Sequence, residues 1–463
     1  MPCRVLKLGS GADRGFHMAR LLFAVLAWLA FAPLAAGAPA PPTPYARAID
    51  SMAGALTASD RFSGAILVAK DGHPIYRRAF GQANREWRVA NTPETEFRLG
   101  SITKQFTAAA ILQLAEQGKL SVDDPISKYY DAPAAWSDIT IKHLLTHTSG
   151  IPSYTALPGF FAGPLSRTEM KPEAIVALTR DKPLDFKPGA RFAYDNTGYV
   201  LLGIVIEKAS GQPYAAYLQD HIFGPLGLKH TGYDVSETIL PNRAAGYDKR
   251  AGAVINTPYL AMSLPYAAGS LYSTVDDLLA WDLALRSGKV IRPASVSAMF
   301  TDYGFKYGYG QFVETRNGKR YWQHAGGING FTTMLARYPD QGLTLVVLTN
   351  LTASDPGHVA DALADFYFQP EHAAGPSGPP TSAELDNYVG RYKYTDGMVL
   401  EVTRDGTRLF AAWNGTEKRE LSREIGRNFI GVNRGYFQFA PGAKAPEVMA
   451  RDGPALLTLK RAD

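Results

Sequence analysis

The placement of strand-forming segments constrains this chain most. Two apolar, β-rich runs lie near its start, Ser63 to Ala69 and Ile75 to Phe80, and Lys70-Asp71-Gly72-His73 between them carries hairpin-turn chemistry. A second group lies far downstream. Tyr321 to Gln323 reads as a strand, and Phe331 to Tyr338 and Leu343 to Asn350 flank the turn Pro339-Asp340-Gln341-Gly342. Between the groups the pattern is helical. Ile102, Phe106, Ala109, Ala110 and Leu114 fall near a 3.6-residue period within Ile102 to Gln117, and Gly118 closes that helix. Ile139 to Thr146, Tyr199 to Ser210 and Val275 to Ser287 also read as helices, the last capped by Ser273 or Thr274. Ala46 to Leu56 and Val359 to Phe368 supply a helix at each end. This order implies one antiparallel sheet built from both ends of the segment, with a helical region inserted: an α/β (α+β) three-layer sandwich.

The pattern spans residues 45–368. Beyond it, the segment 369–380 is a Pro/Gly-rich linker, with four prolines and two glycines between Pro370 and Pro380. Residues 381–463 then read as short strands with turns, such as Tyr388 to Tyr394, Val399 to Arg404, Arg408 to Trp413 and Phe429 to Val432, a small all-β domain. At the other end, Arg14, His17 and Arg20 precede an apolar run from Leu21 to Phe31, and Ala36-Gly37-Ala38 offers a small-x-small cleavage site. Residues 1–38 therefore read as a cleaved export signal, with Met18 as an alternative start, and the expected location is the periplasm or the cell exterior. No membrane span is expected in the mature chain, because no other run is long and apolar enough. The lone cysteine, Cys3, falls in the removed segment, which excludes a disulfide, a cysteine-zinc site and a cysteine nucleophile. A net charge of +5 without a Lys/Arg-dense run argues against a nucleic-acid partner.

Three short motifs can carry chemistry. In Ser101-Ile102-Thr103-Lys104 the lysine lies one helical turn beyond the serine, on the same face. A serine hydroxyl needs a neighbouring base, and a lysine serves only when neutral, well below its reference pKa of about 10.4. Burial and a nearby positive charge are the expected means. A helix N-terminus at Ser101 also offers N–H donors to an oxyanion. Tyr194-Asp195-Asn196 is the second: the tyrosine can relay a proton to a leaving group, and Asn196 can bond a substrate amide or carbonyl. The third is His324-Ala325-Gly326-Gly327, where glycines allow close approach to the backbone and a strand N–H can complete an oxyanion hole. His230-Thr231-Gly232 repeats the His-x-Gly spelling but is expected on a surface turn, with no strand before or after it. His143 and His147 have metal-ligand spacing on a helix, yet Leu144 stands where a zinc peptidase has its glutamate, so both read as structural. No metal or organic cofactor is called for.

The order of these motifs resembles the serine β-lactamase and penicillin-binding-protein superfamily, in particular class C β-lactamases and the esterases and D-peptidases related to them. Phe97 to Lys104 is similar to the family's nucleophile segment, and Leu120 to Tyr129 and His143 to Pro152 also look like family segments. The resemblance implies that Ser101 is acylated with Lys104 as general base. It implies that Tyr194 assists proton transfer, that Asn196 orients substrate, and that the N–H groups of Ser101 and Gly327 form the oxyanion hole beside Gly326. His324 is counted with the catalytic residues and stands where lactamases carry the lysine of Lys-Thr-Gly, a triplet absent here. That departure favours esters or D-amino-acid amides and peptides over β-lactams; a β-lactamase proper and a non-catalytic peptidoglycan-binding relative are the rivals. The all-β tail resembles the lipocalin-like barrels appended to such hydrolases. A small-molecule or peptide substrate is the expected partner; the oligomeric state is not legible.

Overall fold

The computed structural model describes residues 43–370, 380–395, 397–425, 428–431, 436–440, 442–452 and 455–463. The expected export signal, Cys3 and most of the expected linker lie outside the described residues. Helix α1 (Pro44–Ala58) starts behind Thr43, whose hydroxyl accepts from Ala46 N. Strands β1 (Gly64–Lys70) and β2 (His73–Phe80) form the expected hairpin. Helix α2 (Thr103–Glu116) and helix α3 (Asn196–Ser210) lie in the inserted region. A small hairpin, β3 (Tyr247–Arg250) and β4 (Ala253–Asn256), follows. Helix α4 (Val275–Arg286) is capped by Thr274, one of the two expected residues. Then come β5 (Phe312–Arg316), β6 (Lys319–Ile328), β7 (Phe331–Tyr338), β8 (Leu343–Thr349) and helix α5 (Pro356–Phe368).

The main sheet runs β5-β6-β7-β8-β1-β2, antiparallel throughout, so the two ends of the segment meet where β8 pairs with β1. Leu67 lies opposite Val346 and Val68 opposite Leu345. Alternate residues of these strands serve two cores. Ile66, Val68, Leu345 and Val347 pack under α1 and α5, while Ala65, Leu67, Val346 and Leu348 face the helical region. Strands covered on both faces read as continuous apolar runs rather than alternating ones, as β1 and β8 do. The three layers expected from the sequence are therefore present.

Three local readings change. The helix expected from Ile139 to Thr146 spans only Ile141–Leu145, because Thr140 and His143 form a capping box at its start and His147 leaves it at φ 56°. His143 and His147 consequently do not share a helix face. Gly232 opens a two-residue strand, Gly232–Tyr233, that pairs with Leu271–Ser273, so the second His-x-Gly is not a bare turn. Its histidine still lies elsewhere, with Nδ1 3.1 Å from Glu96 Oε1.

In the tail, eight strands close on themselves: β9 (Gly390–Lys393), β10 (Val399–Asp405), β11 (Arg408–Trp413), β12 (Arg419–Ile425), β13 (Asn428–Gly431), β14 (Tyr436–Phe439), β15 (Glu447–Asp452) and β16 (Ala455–Arg461). Closure is made where Tyr392 pairs with Arg461. Tyr388, Tyr392, Leu400, Phe429, Phe439 and Leu459 form its buried core. Gln438 of the barrel donates a hydrogen bond to Asp365 of α5. Among the described residues, no helix is long and apolar enough to cross a membrane.

Candidate active site

Ser101 lies in a single 3₁₀ turn, Gly100–Ile102, that leads into α2. Leu99 N–H donates to Leu271 O at 2.8 Å, and Gly100 turns the chain at φ 55°. A side chain at Gly100 would put its Cβ 2.9 Å from Gly327 N, so glycine lets the nucleophile turn lie against β6. Lys104 follows one turn later. Its Nζ lies 3.1 Å from Ser101 Oγ, 2.8 Å from Asn196 Oδ1 and 2.9 Å from Ala268 O.

Those three partners define what Lys104 can do. Asn196 Oδ1 and Ala268 O only accept, so they take the two N–H bonds of a neutral amine. The remaining lone pair then faces the Ser101 hydroxyl. Helix α2 is buried almost all round, and Lys104 is fully buried with it. This burial pushes the amine well below its ordinary range, with the Asp195 carboxyl working the other way. The nearby positive charge expected from the sequence is not a cause; desolvation alone lowers this lysine.

Asn196 is the first residue of α3, whose cap is Asp195: its carboxylate accepts from Gly198 N–H at 2.9 Å. Burial raises that carboxyl to about 7. Asn196 is fixed at both ends of its amide, since Nδ2 donates to Thr155 Oγ1 at 2.9 Å. Tyr194 precedes the cap. Its ring centroid lies 4.8 Å from Lys104 Nζ. Its buried hydroxyl lies beside Ser101 but makes no hydrogen bond of full geometry. Burial raises the phenol, and the Ser101 hydroxyl partly offsets this.

The strand expected at Tyr321 to Gln323 extends to Ile328 and carries the third motif within it. Its two glycines differ. A Cβ at Gly326 would fall 1.9 Å from Leu99 O and 2.2 Å from Thr333 Oγ1, whereas one at Gly327 would meet open space. Gly326 therefore serves the packing of β6 on the nucleophile turn, and only Gly327 borders the cavity, which corrects the reading of both as substrate-facing. His324 is buried and does not line the cavity either. Its Nδ1 lies 2.6 Å from Ala325 O and its Nε2 3.0 Å from Tyr307 Oη. Burial, with Lys104 adding to it, pushes this imidazole down to about 3.

The cavity beside Ser101 measures about 660 Å³. Tyr154, Phe160, Phe161, Leu260 and Leu264 make an apolar wall, and Asp248, Arg250 and Asn329 stand among its polar lining. The sequence reading thus brought together Ser101, Lys104, Tyr194, Asn196 and Gly327. Tyr307, Thr155 and the Ala268 carbonyl were not among the expected residues. Tyr307 opens Tyr307-Gly308-Tyr309-Gly310, whose regular spelling was the available signal.

Comparison with known proteins gives consistent findings. The family model described as Beta-lactamase matches residues 49–368. A penicillin-binding protein of Bacillus subtilis (strain 168) is 30% identical over 390 residues, covering 78% of this chain and 86% of its own. The solved octameric penicillin-binding protein homologue from Pyrococcus abyssi superposes with a TM-score of 0.63 at 29% identity, covering 89% of this chain and 99% of its own. A D-stereospecific amidohydrolase from a Streptomyces species gives 0.61 at 29% identity, covering 69% of this chain and 98% of its own.

Proposed function

The chain belongs to the Beta-lactamase family and has its serine-hydrolase fold, and from that premise we propose that it hydrolyses D-amino-acid amides, peptides or esters through an acyl-Ser101 intermediate. The lone pair of neutral Lys104, aimed at the Ser101 hydroxyl by Asn196 and Ala268, carries this reading. Ser101 Oγ attacks the substrate carbonyl as Lys104 takes its proton. The oxyanion is received by the N–H groups of Ser101 and Gly327, and Asn196 orients the substrate. Tyr194 passes a proton to the leaving group as the Lys104 ammonium replaces it, the C–N or C–O bond breaks, and water then hydrolyses the acyl ester, releasing the acid and restoring the Ser101 hydroxyl. The likeness to a D-stereospecific amidohydrolase supports an amide of a D-residue. A β-lactam is disfavoured, because His324 is held without charge where a lactamase has a lysine to meet the antibiotic carboxylate. Export to the periplasm or beyond belongs to the same reading and rests on residues 1–38.

Turnover of D- and L-aminoacyl p-nitroanilides, p-nitrophenyl esters and a chromogenic cephalosporin tests this. Ester and D-anilide hydrolysis that vanishes in Ser101→Ala is expected. Cephalosporin turnover exceeding both would make the protein a β-lactamase. Absence of all turnover would leave a binding protein.

A further inference from the structure

Behind the Tyr194 ring lies a buried set of groups that the reaction above does not use: His147, Tyr307 and His324. The His147 ring centroid is 4.4 Å from that of Tyr194, and the His324 centroid 6.2 Å. Tyr307 joins the two histidines, with its hydroxyl 3.2 Å from His147 Nε2 and 3.0 Å from His324 Nε2.

The polarity of this chain follows by elimination. Asp195 N–H donates to His147 Nδ1 at 3.1 Å, so that nitrogen carries a lone pair and the ring proton is on Nε2. His147 Nε2–H therefore donates to Tyr307 Oη. At the other end Ala325 O can only accept, so His324 Nδ1 carries a proton and donates to it. The Tyr307 proton then goes to His324 Nε2, which must keep its lone pair. Protonating either imidazole would break a bond: at His147 the backbone bond from Asp195, at His324 the bond from Tyr307.

We propose that Tyr307 is a positioning residue, whose hydroxyl locks together His147 and His324, neutral rings whose opposite tautomers Asp195 N–H and Ala325 O set, and so fixes the wall that holds Tyr194. This rests on the reading of Ser101, Lys104 and Tyr194 as the reacting groups. The lock spans the site, from the cap of α3 beside Asn196 to β6 beside Gly327. Among titratable groups, His324 is faced by Lys104, His147, Tyr194 and Tyr307, and His147 by Lys104, Tyr194, Asp195, Tyr199, Tyr307 and His324. The Tyr199 proton is committed to Leu145 O at 2.9 Å, so Tyr199 does not compete to donate. Both nitrogens of His324 are occupied, which removes it as an acid or base toward substrate and gives it a supporting part instead.

Long-range proton–nitrogen correlation spectra of the full chain test this, with His147→Gln and His324→Gln for assignment. The expected result is His147 as the Nε2–H tautomer and His324 as Nδ1–H, neither titrating between roughly pH 8 and pH 5. In Tyr307→Phe both rings should stay neutral while their Nε2 signals lose the shifts of hydrogen-bonded nitrogens, and kcat should fall roughly tenfold or more with KM little changed. Equal tautomers in the wild type, a titrating wild-type His324, or a Tyr307→Phe enzyme with unaltered kcat and unaltered Nε2 shifts would overturn the proposal. The wild-type spectra decide alone if the variant does not fold. Failure of wild-type Ser101 to react with a fluorophosphonate would sink the functional reading while leaving the tautomer result to stand.

Discussion

Replacing Lys104 with methionine separates its chemical role from its cost to the fold. The amine is fully buried and pushed well below its ordinary range. In the unfolded chain the same amine holds its proton up to about pH 10.4. Between the depressed folded value and that limit, the unfolded state binds one proton that the folded state lacks. Stability therefore rises with pH, by about 1.4 kcal/mol per unit for one proton. From pH 8 to pH 10 the wild type should gain about 2.5 kcal/mol relative to Lys104→Met, which carries no such group. The Asp195 carboxyl, near 7 in the fold, lies outside this window. Urea midpoints of both proteins at pH 8, 9 and 10 give the difference directly, since other ionisations are common to the pair. Hydrolytic activity should fall by roughly 10² to 10⁴ through loss of the base. Parallel stability profiles would mean that Lys104 is folded in its charged form, and the base assignment would fail with it.

Further outcomes follow from the cavity and from β6. Phe161 lines the apolar wall and is 52% exposed. Along a series of p-nitrophenyl esters, kcat/KM should rise with acyl length, and Phe161→Ala should flatten that rise without slowing fluorophosphonate labelling; equal slopes would place the acyl group elsewhere. Gly326→Ala forces Cβ against backbone, whereas Gly327→Ala meets open space. The first should destabilise by about 3 kcal/mol and the second by less than about 1 kcal/mol, read from thermal melts; similar losses would refute the different parts given to the two glycines.

Much of this was legible in the sequence because it rests on period and order. Apolar runs at 63–80 and 331–350 marked a sheet joined where β8 pairs with β1, and turn residues marked both hairpins. Ser101, Lys104, Tyr194 and Asn196 were found because they sit on short spacings. Burial was harder to read: nothing local says that Lys104 loses its charge to desolvation rather than to a neighbouring cation, since that depends on the packing of α2 on every side. Tyr307 escaped for a related reason. Its partners are 160 and 17 residues away in sequence, and only the fold brings them together. The division of labour between Gly326 and Gly327 was equally hidden, because it depends on which side of β6 meets Leu99.

Intact-mass analysis after reaction with a fluorophosphonate, on the wild type and on Ser101→Ala, decides whether Ser101 is the nucleophile. One adduct is expected on the wild type, mapped to the peptide carrying Ser101, and none on the variant. An adduct that persists in the variant would contradict it, because the nucleophile would then lie elsewhere and the roles given to Lys104, Tyr194 and Gly327 would lose their centre.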